Sequence, residues 1–318
     1  MRPVIQSSVP ATPVTLAKPS PGLAVAFMLV ATAFIASTTL LAKALGTDAL
    51  GPPLHPFQIS HGRFLFAWIT IGSVVAILRP RFSKLNWGLH IGRTVMGFAG
   101  VTCMFAAASM IPLADATAIS FLNPVFGMIL AIPLLGEKVG KWRWLAAAIA
   151  FTGALILIRP GSGAIAPGAL VALGAALALG LELTFIKRLA GREAPLQILF
   201  INNSLGVVIA TIAVIAVWQP PTGAQWAGLV ALGCLMAAAQ ACFVSSVARA
   251  DASFVTPFSY LTLVFAAVYD FAIFGVTPTG LSYLGAATII SGAALLAWRE
   301  ARLSRKAKEA ASAPPVTT

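Results

Sequence analysis

Residues 22–42, GLAVAFMLVATAFIASTTLLA, run without a single charged side chain. A stretch of roughly 20 apolar residues, rising about 1.5 Å each, crosses about 30 Å of hydrocarbon as one helix. A helix suits that medium because it satisfies its own backbone polar groups. The same signal returns near 57–78, 88–108, 113–135, 142–158, 166–186, 196–217, 225–247, 252–274 and 280–298, which makes ten expected spans. Turn chemistry separates them: Gly51-Pro52-Pro53, Arg79-Pro80, Gly136, Arg159-Pro160-Gly161, Pro220-Pro221 and Pro278. The connections are too short for a soluble catalytic domain.

Composition agrees with a lipid solvent. Of 318 residues 59% are apolar and 9% charged, with mean hydropathy +0.92, whereas a soluble domain carries about a quarter charged residues. The expected location is the cell inner membrane. The net charge of +12 would suit a nucleic-acid partner only if the basic residues shared a folded polar surface. They sit instead in short loops and the C-terminal tail, so no nucleic-acid partner is expected. Cys103, Cys234 and Cys242 all lie in apolar segments; they read as small core residues, with neither a disulfide framework nor a metal spacing. The first 21 residues carry Pro3, Pro10, Pro13, Pro19 and Pro21 and lack the short apolar core of a signal peptide. They are expected to be a disordered cytoplasmic tail. Residues 301–318 form a second, basic tail, expected to be disordered from 304.

Lys and Arg set the orientation. With a cytoplasmic N-terminus, one side receives Arg2, Lys18, Arg79, Arg81, Lys84, Lys138, Lys141, Arg143, Lys187, Arg188, Arg192, Arg249, Arg299, Arg302, Arg305, Lys306 and Lys308, which is 17 of the 21 basic residues. The other side receives Lys43 and Arg159, and Arg63 and Arg93 fall inside spans. The excess of positive charge on cytoplasmic loops therefore predicts both termini in the cytoplasm.

The chain also matches itself. An offset of 139 residues lays Pro56-Phe57-Gln58-Ile59 on Pro195-Leu196-Gln197-Ile198, Trp87 on Trp226, Cys103 on Cys242, Gly136 on Gly275 and Gly153 on Gly292. Five spans per copy is an odd number, so the second copy must be upside down relative to the first. The expected fold is all-α integral membrane: ten transmembrane helices as two inverted five-helix repeats, 22–160 and 161–300. Inverted repeats let a central site face alternately inward and outward, which points to a secondary transporter.

Particular motifs resemble the drug/metabolite transporter superfamily in its EamA-type ten-helix branch. They are Pro112-Leu113-Ala114-Asp115-Ala116-Thr117-Ala118, Asn123-Pro124-Val125-Phe126 through Leu134-Leu135-Gly136-Glu137, and Gly153 followed by Arg159-Pro160-Gly161. The second half repeats the pattern in Ala252-Ser253-Phe254-Val255-Thr256-Pro257-Phe258-Ser259-Tyr260, Phe274-Gly275, Gly292 and Trp298-Arg299-Glu300. The resemblance implies a cavity formed by the first four helices of each repeat, with the fifth and tenth outside it. Val276 departs from the family pattern, which has an acid there to match Glu137.

A charge in hydrocarbon costs at least a few kcal/mol, so intramembrane ions are the candidate site. Depth pairs Arg63 with Asp270 and Arg93 with Glu182; these pairs either line the path or fix helix packing, and Glu182 could instead snorkel to the cytoplasmic end. His61 and His90 lie near span ends and read as interfacial. Asn123, Asn202, Asn203, Gln240 and Tyr260 could hydrogen-bond a substrate or a neighbouring helix. Asn123, Asn202, Gln240 and Tyr260 join the four ions as the candidate substrate-binding set. Pro124 and Pro257 interrupt spans four and nine as candidate hinges, with Pro133 further along span four. Trp142, Trp144, Trp218, Trp226 and Trp298 read as an aromatic belt. The expectation is an alternating-access transporter of a small polar metabolite, an exporter of amino acids or related compounds. A coupling proton is a candidate partner, and no cofactor, metal or catalytic residue is expected. The rival readings are uptake of an S-adenosylmethionine- or riboflavin-like compound, a membrane-embedded enzyme and a channel.

Overall fold

The computed structural model describes residues 20–135, 140–158, 166–189, 193–250 and 255–312. Its helices are α1 (Pro21–Gly46), α2 (Pro56–Leu78), α3 (Trp87–Met110), α4 (Leu113–Ser120), α5 (Asn123–Leu135), α6 (Lys141–Ile158), α7 (Pro167–Leu189), α8 (Pro195–Val214), α9 (Gly223–Val247), α10 (Leu261–Phe274) and α11 (Gly280–Ser312). Among the described residues nine stretches are long and apolar enough to span a bilayer, α4 and α5 together making one. A shorter apolar helix, Phe258–Phe274, occupies the ninth expected span. Gly136, Glu137, Arg159-Pro160-Gly161 and the chain before Ser20 lie outside the described residues.

Local chemistry starts and stops these helices. Proline opens α1, α2 and α8 in the first turn, where no intrahelical partner exists for the missing N–H. Thr222 and Gln225 close a reciprocal capping box at the start of α9. Gly275 ends α10 at φ 67°, a left-handed conformation that glycine adopts without a Cβ clash.

The helices differ from the sequence reading in four places. Helix α1 continues to Gly46, which carries Lys43 into the bundle rather than onto a loop. Helix α11 continues to Ser312, so the tail expected to be disordered from 304 is helical to that point, as its Ala, Arg, Lys and Glu content favours. Span four breaks at Phe121-Leu122 into α4 and α5. Pro124, at the second position of α5, has no N–H for the Ser120 carbonyl, so a continuous helix would lose that bond. Span nine is irregular in the corresponding place, where a 3-10 turn, Thr256–Tyr260, precedes α10.

Helices α1 and α9 pack along one another, as do α3 and α7, α2 and α8, and α6 and α11. Shifting the chain by 139 residues turns the first pair into the second and maps the last two onto themselves, as a two-fold axis relating inverted repeats requires. The repeated Pro-x-Gln motif marks this symmetry. Gln58 is 1% exposed and clamps Gln219 with both amide groups, donating to its carbonyl at 2.6 Å and accepting from its N–H at 3.1 Å. Gln197, also 1% exposed, does the same to Ser83 at 3.2 and 2.8 Å. The two clamps sit at opposite ends of the bundle, and each ties one repeat to a loop of the other.

Helices α6 and α11 form an outlying pair in close contact. A Cβ at Gly153 would come within 2.6 Å of the Ile289 nitrogen, and one at Gly292 within 2.6 Å of the Ala150 nitrogen. Small residues are what allow two backbones this approach in lipid. Trp142, Trp144, Trp218, Trp226 and Trp298 are exposed at helix ends, as a belt requires.

Candidate functional site

The inward face of α2 carries Ser60, Arg63 and Phe64, one turn apart. The Ser60 hydroxyl lies 2.8 Å from that of Thr102 on α3, and Phe64 packs with its ring centroid 6.1 Å from that of Phe98. This face therefore looks at α3. Gly97, next to Phe98, leaves room for a carboxylate: a Cβ there would approach the Glu182 carboxyl carbon to 2.9 Å. Glu182 descends from α7 into this space and meets Arg93, with Nε and Oε1 3.5 Å apart. The pair expected from depth is thus formed. Arg93 Nη1 also donates to the Ile198 carbonyl at 3.2 Å.

The second expected pair is not formed. Asp270, 1% exposed, binds Lys43 rather than Arg63 and also accepts from the Leu113 N–H at 2.8 Å. The carboxylate thereby satisfies a free donor at the start of α4. Hydropathy had cut span one before Lys43, whose aliphatic stem lets the ammonium reach inward. A signal for Lys43 exists in the sequence, since the 139-residue offset lays it on Glu182. Arg63 is 5% exposed, lies over the Phe64 ring with its carbon 4.3 Å from the centroid, and interacts electrostatically with Glu182 and Arg93. Its Nε and Nη1 have no hydrogen-bond partner.

The neutral candidates divide. Asn202 is buried, with Oδ1 3.2 Å from the Thr94 hydroxyl, which donates to the His90 carbonyl at 2.8 Å. Asn203 donates to the Leu199 carbonyl at 2.8 Å, while its buried Oδ1 has no hydrogen-bond partner. Gln240 presents an unpartnered, buried Oε1. Tyr260 sets its ring edge-on against Phe121 at 5.2 Å, joining the interruptions of spans four and nine; the two positions are also 139 residues apart. Asn123 is half-buried beside Pro124, and its carbonyl lies 2.7 Å from where a Gly180 Cβ would be. Pro257 lies in the 3-10 turn, its side chain outside the described residues.

His61 is half-buried near the start of α2. His90, expected at the interface, is fully enclosed in the first turn of α3. Its Nε2 lies 2.8 Å from Glu193 Oε2. Glu193 also accepts from the Gln197 amide at 2.7 Å and from the Asn86 N–H at 3.4 Å. Burial pushes its carboxyl up, but the bonds from His90, Asn86 and Gln197 outweigh that and hold it below the ordinary carboxylate range. Nothing in the polar Gly191-Arg192-Glu193 stretch distinguishes it from a solvated loop, so sequence reading passes over it. Among the described residues no three His, Cys, Asp or Glu side chains gather as a metal site.

With this geometry in place, known proteins supply the class. The sequence pattern of the EamA-like transporter family matches residues 22–159 and again 166–298. A riboflavin transporter of Rhizobium johnstonii is 35% identical over 218 residues, 68% of this chain and 72% of that protein. An S-adenosylmethionine uptake transporter of Rickettsia bellii is 28% identical over 81% of this chain and 89% of its own. A crystal structure with 21% identity superposes at a TM-score of 0.59 over 89% of this chain and 99% of its own, which extends the likeness to the fold. The duplicated match fits the paired helices, and the chain belongs to the EamA-like transporter family of the drug/metabolite transporter superfamily.

Proposed function

We propose that this chain is a secondary transporter of the inner membrane that takes up a small polar metabolite by alternating access, the two repeats 22–160 and 161–300 rocking about a central site. The observation that carries the reading is the Arg63, Arg93 and Glu182 cluster, in which two buried arginines on α2 and α3 share the field of a carboxylate on α7 of the other repeat. Charges are kept in hydrocarbon at a cost, and substrate or ion pathways are among the functions that such charges mark. Asn202, Gln240, Asn123 and Tyr260 line the remainder of the site, with Pro124 and Pro257 as hinges. Asp270 moves from the substrate set to an interhelical tie with Lys43. The direction follows the uptake named for the S-adenosylmethionine relative, and replaces the export expected from sequence. Both termini face the cytoplasm, as the basic loops suggest.

The test is purified protein in liposomes with labelled riboflavin, S-adenosylmethionine and a set of amino acids, at several pH gradients. Saturable uptake of one compound is expected. Flux that rises linearly without saturation would identify a channel instead, and accumulation only against the uptake direction would restore export. A dependence on the pH gradient would assign the coupling ion as a proton.

A further inference from the structure

Two guanidinium groups and one carboxylate leave the cluster with one positive charge in excess. Arg93 is engaged by Glu182 and by the Ile198 carbonyl. Arg63 shares the field of the same carboxylate, yet its Nε and Nη1 are buried without an acceptor. The other enclosed carboxylates described are committed elsewhere, Asp270 to Lys43 and the Leu113 N–H, Glu193 to His90, Gln197 and Asn86. A buried guanidinium is costly unless paired and hydrogen-bonded. Its planar donor fork fits a carboxylate with two parallel bonds. The Phe64 and Phe98 rings beside it give the site an apolar wall.

We infer that Arg63 receives the carboxylate of the transported metabolite, and that the substrate class is a monocarboxylate whose single negative charge the cluster lacks. A dianion such as phosphate would overshoot that charge, and a neutral polar compound would leave it in place. The inference deepens the transport reading above and rests on it.

The full chain in lipid nanodiscs, probed with N-acetylglycine, N-acetylglycinamide and inorganic phosphate at matched ionic strength, tests this without a known substrate. The acid is expected to raise the melting temperature, and the amide and phosphate to leave it unchanged. Arg63→Gln should abolish the response to the acid, and Arg63→Lys should keep part of it. Equal responses to acid and amide in the unaltered protein would overturn the inference even if Arg63→Gln fails to fold, and so would a preference that survives Arg63→Gln. In liposomes, any transported acid should be favoured over its own carboxamide by about tenfold or more. Transport without that preference would sink this inference and leave the transport reading standing. Acid-specific stabilisation with no transport of any compound would sink the transport reading and keep Arg63 as a carboxylate receptor.

Discussion

Arg93 and Glu182 lie at matching depths on α3 and α7, and depth alone was enough to pair them from sequence. Depth failed for Asp270 because its partner sits on a helix that outlasts its hydropathy signal: a lysine lowers the window average, but its stem stays in the apolar layer while the ammonium finds a carboxylate. An averaged scale cannot register a contact made between distant segments. The Arg93–Glu182 contact gives a residue-scale prediction. Arg93→Ala leaves the enclosed Glu182 carboxylate without its ion-pair partner and should cost about 3–5 kcal/mol, seen as loss of monodisperse protein. Arg93→Ala with Glu182→Ala should recover most of that yield while transport stays impaired. Losses that simply add in the double variant would mean the two side chains are not coupled.

At the scale of elements, helix existence and most boundaries were legible because apolar length and proline position are local properties. The clamps were not, although the sequence displayed Pro-x-Gln twice. Periodicity shows a motif recurring, whereas what Gln58 and Gln197 hold depends on which loop the other repeat brings near. Each amide makes two bonds to backbone and is buried, so Gln58→Ala and Gln197→Ala should each destabilise by about 1–3 kcal/mol through the orphaned N–H and C=O groups. Comparable drops in melting temperature are expected, and a drop confined to one variant would contradict the symmetry.

The clamp at Gln197 extends to Glu193, which makes that end pH-sensitive. Glu193 titrates below its unfolded value, which is about 4.3, so its contribution is complete above that value and disappears as pH falls through the lower folded one. Unaltered protein should therefore lose stability over that acidic interval, and Glu193→Gln should be less stable at neutral pH but flat across it. Parallel pH curves for the two proteins would refute the assignment.

For the whole molecule, the repeat and its inversion could be read from one offset and an odd helix count, whereas the way the halves cross could not, because nothing local specifies that α1 meets α9. The crossing has a mechanical result. Lys43 on α1 and Glu182 on α7 are equivalent under the offset, and each reaches a helix of the other repeat: Lys43 to Asp270 near one end of the bundle, Glu182 to Arg93 towards the basic end. A central site can open to one side only if the helices there part. The Lys43–Asp270 tie should then favour the conformer closed at its end. Replacing both members with neutral residues of similar volume, Lys43→Met with Asp270→Asn, keeps an amide oxygen to accept from the Leu113 N–H, so it should change folding little and shift the population towards opening there; a bias of about 1.4 kcal/mol is tenfold. Cys103 and Cys242 are equivalent half-buried thiols in the C-terminal halves of α3 and α9, which the inverted repeat points towards opposite ends of the bundle, and Cys234→Ser removes the exposed third. With a membrane-impermeant maleimide, the double variant should label faster at Cys103 and slower at Cys242 than its parent. Rates that rise together would indicate loosening of the whole fold, and unchanged rates would mean that the tie does not gate the site.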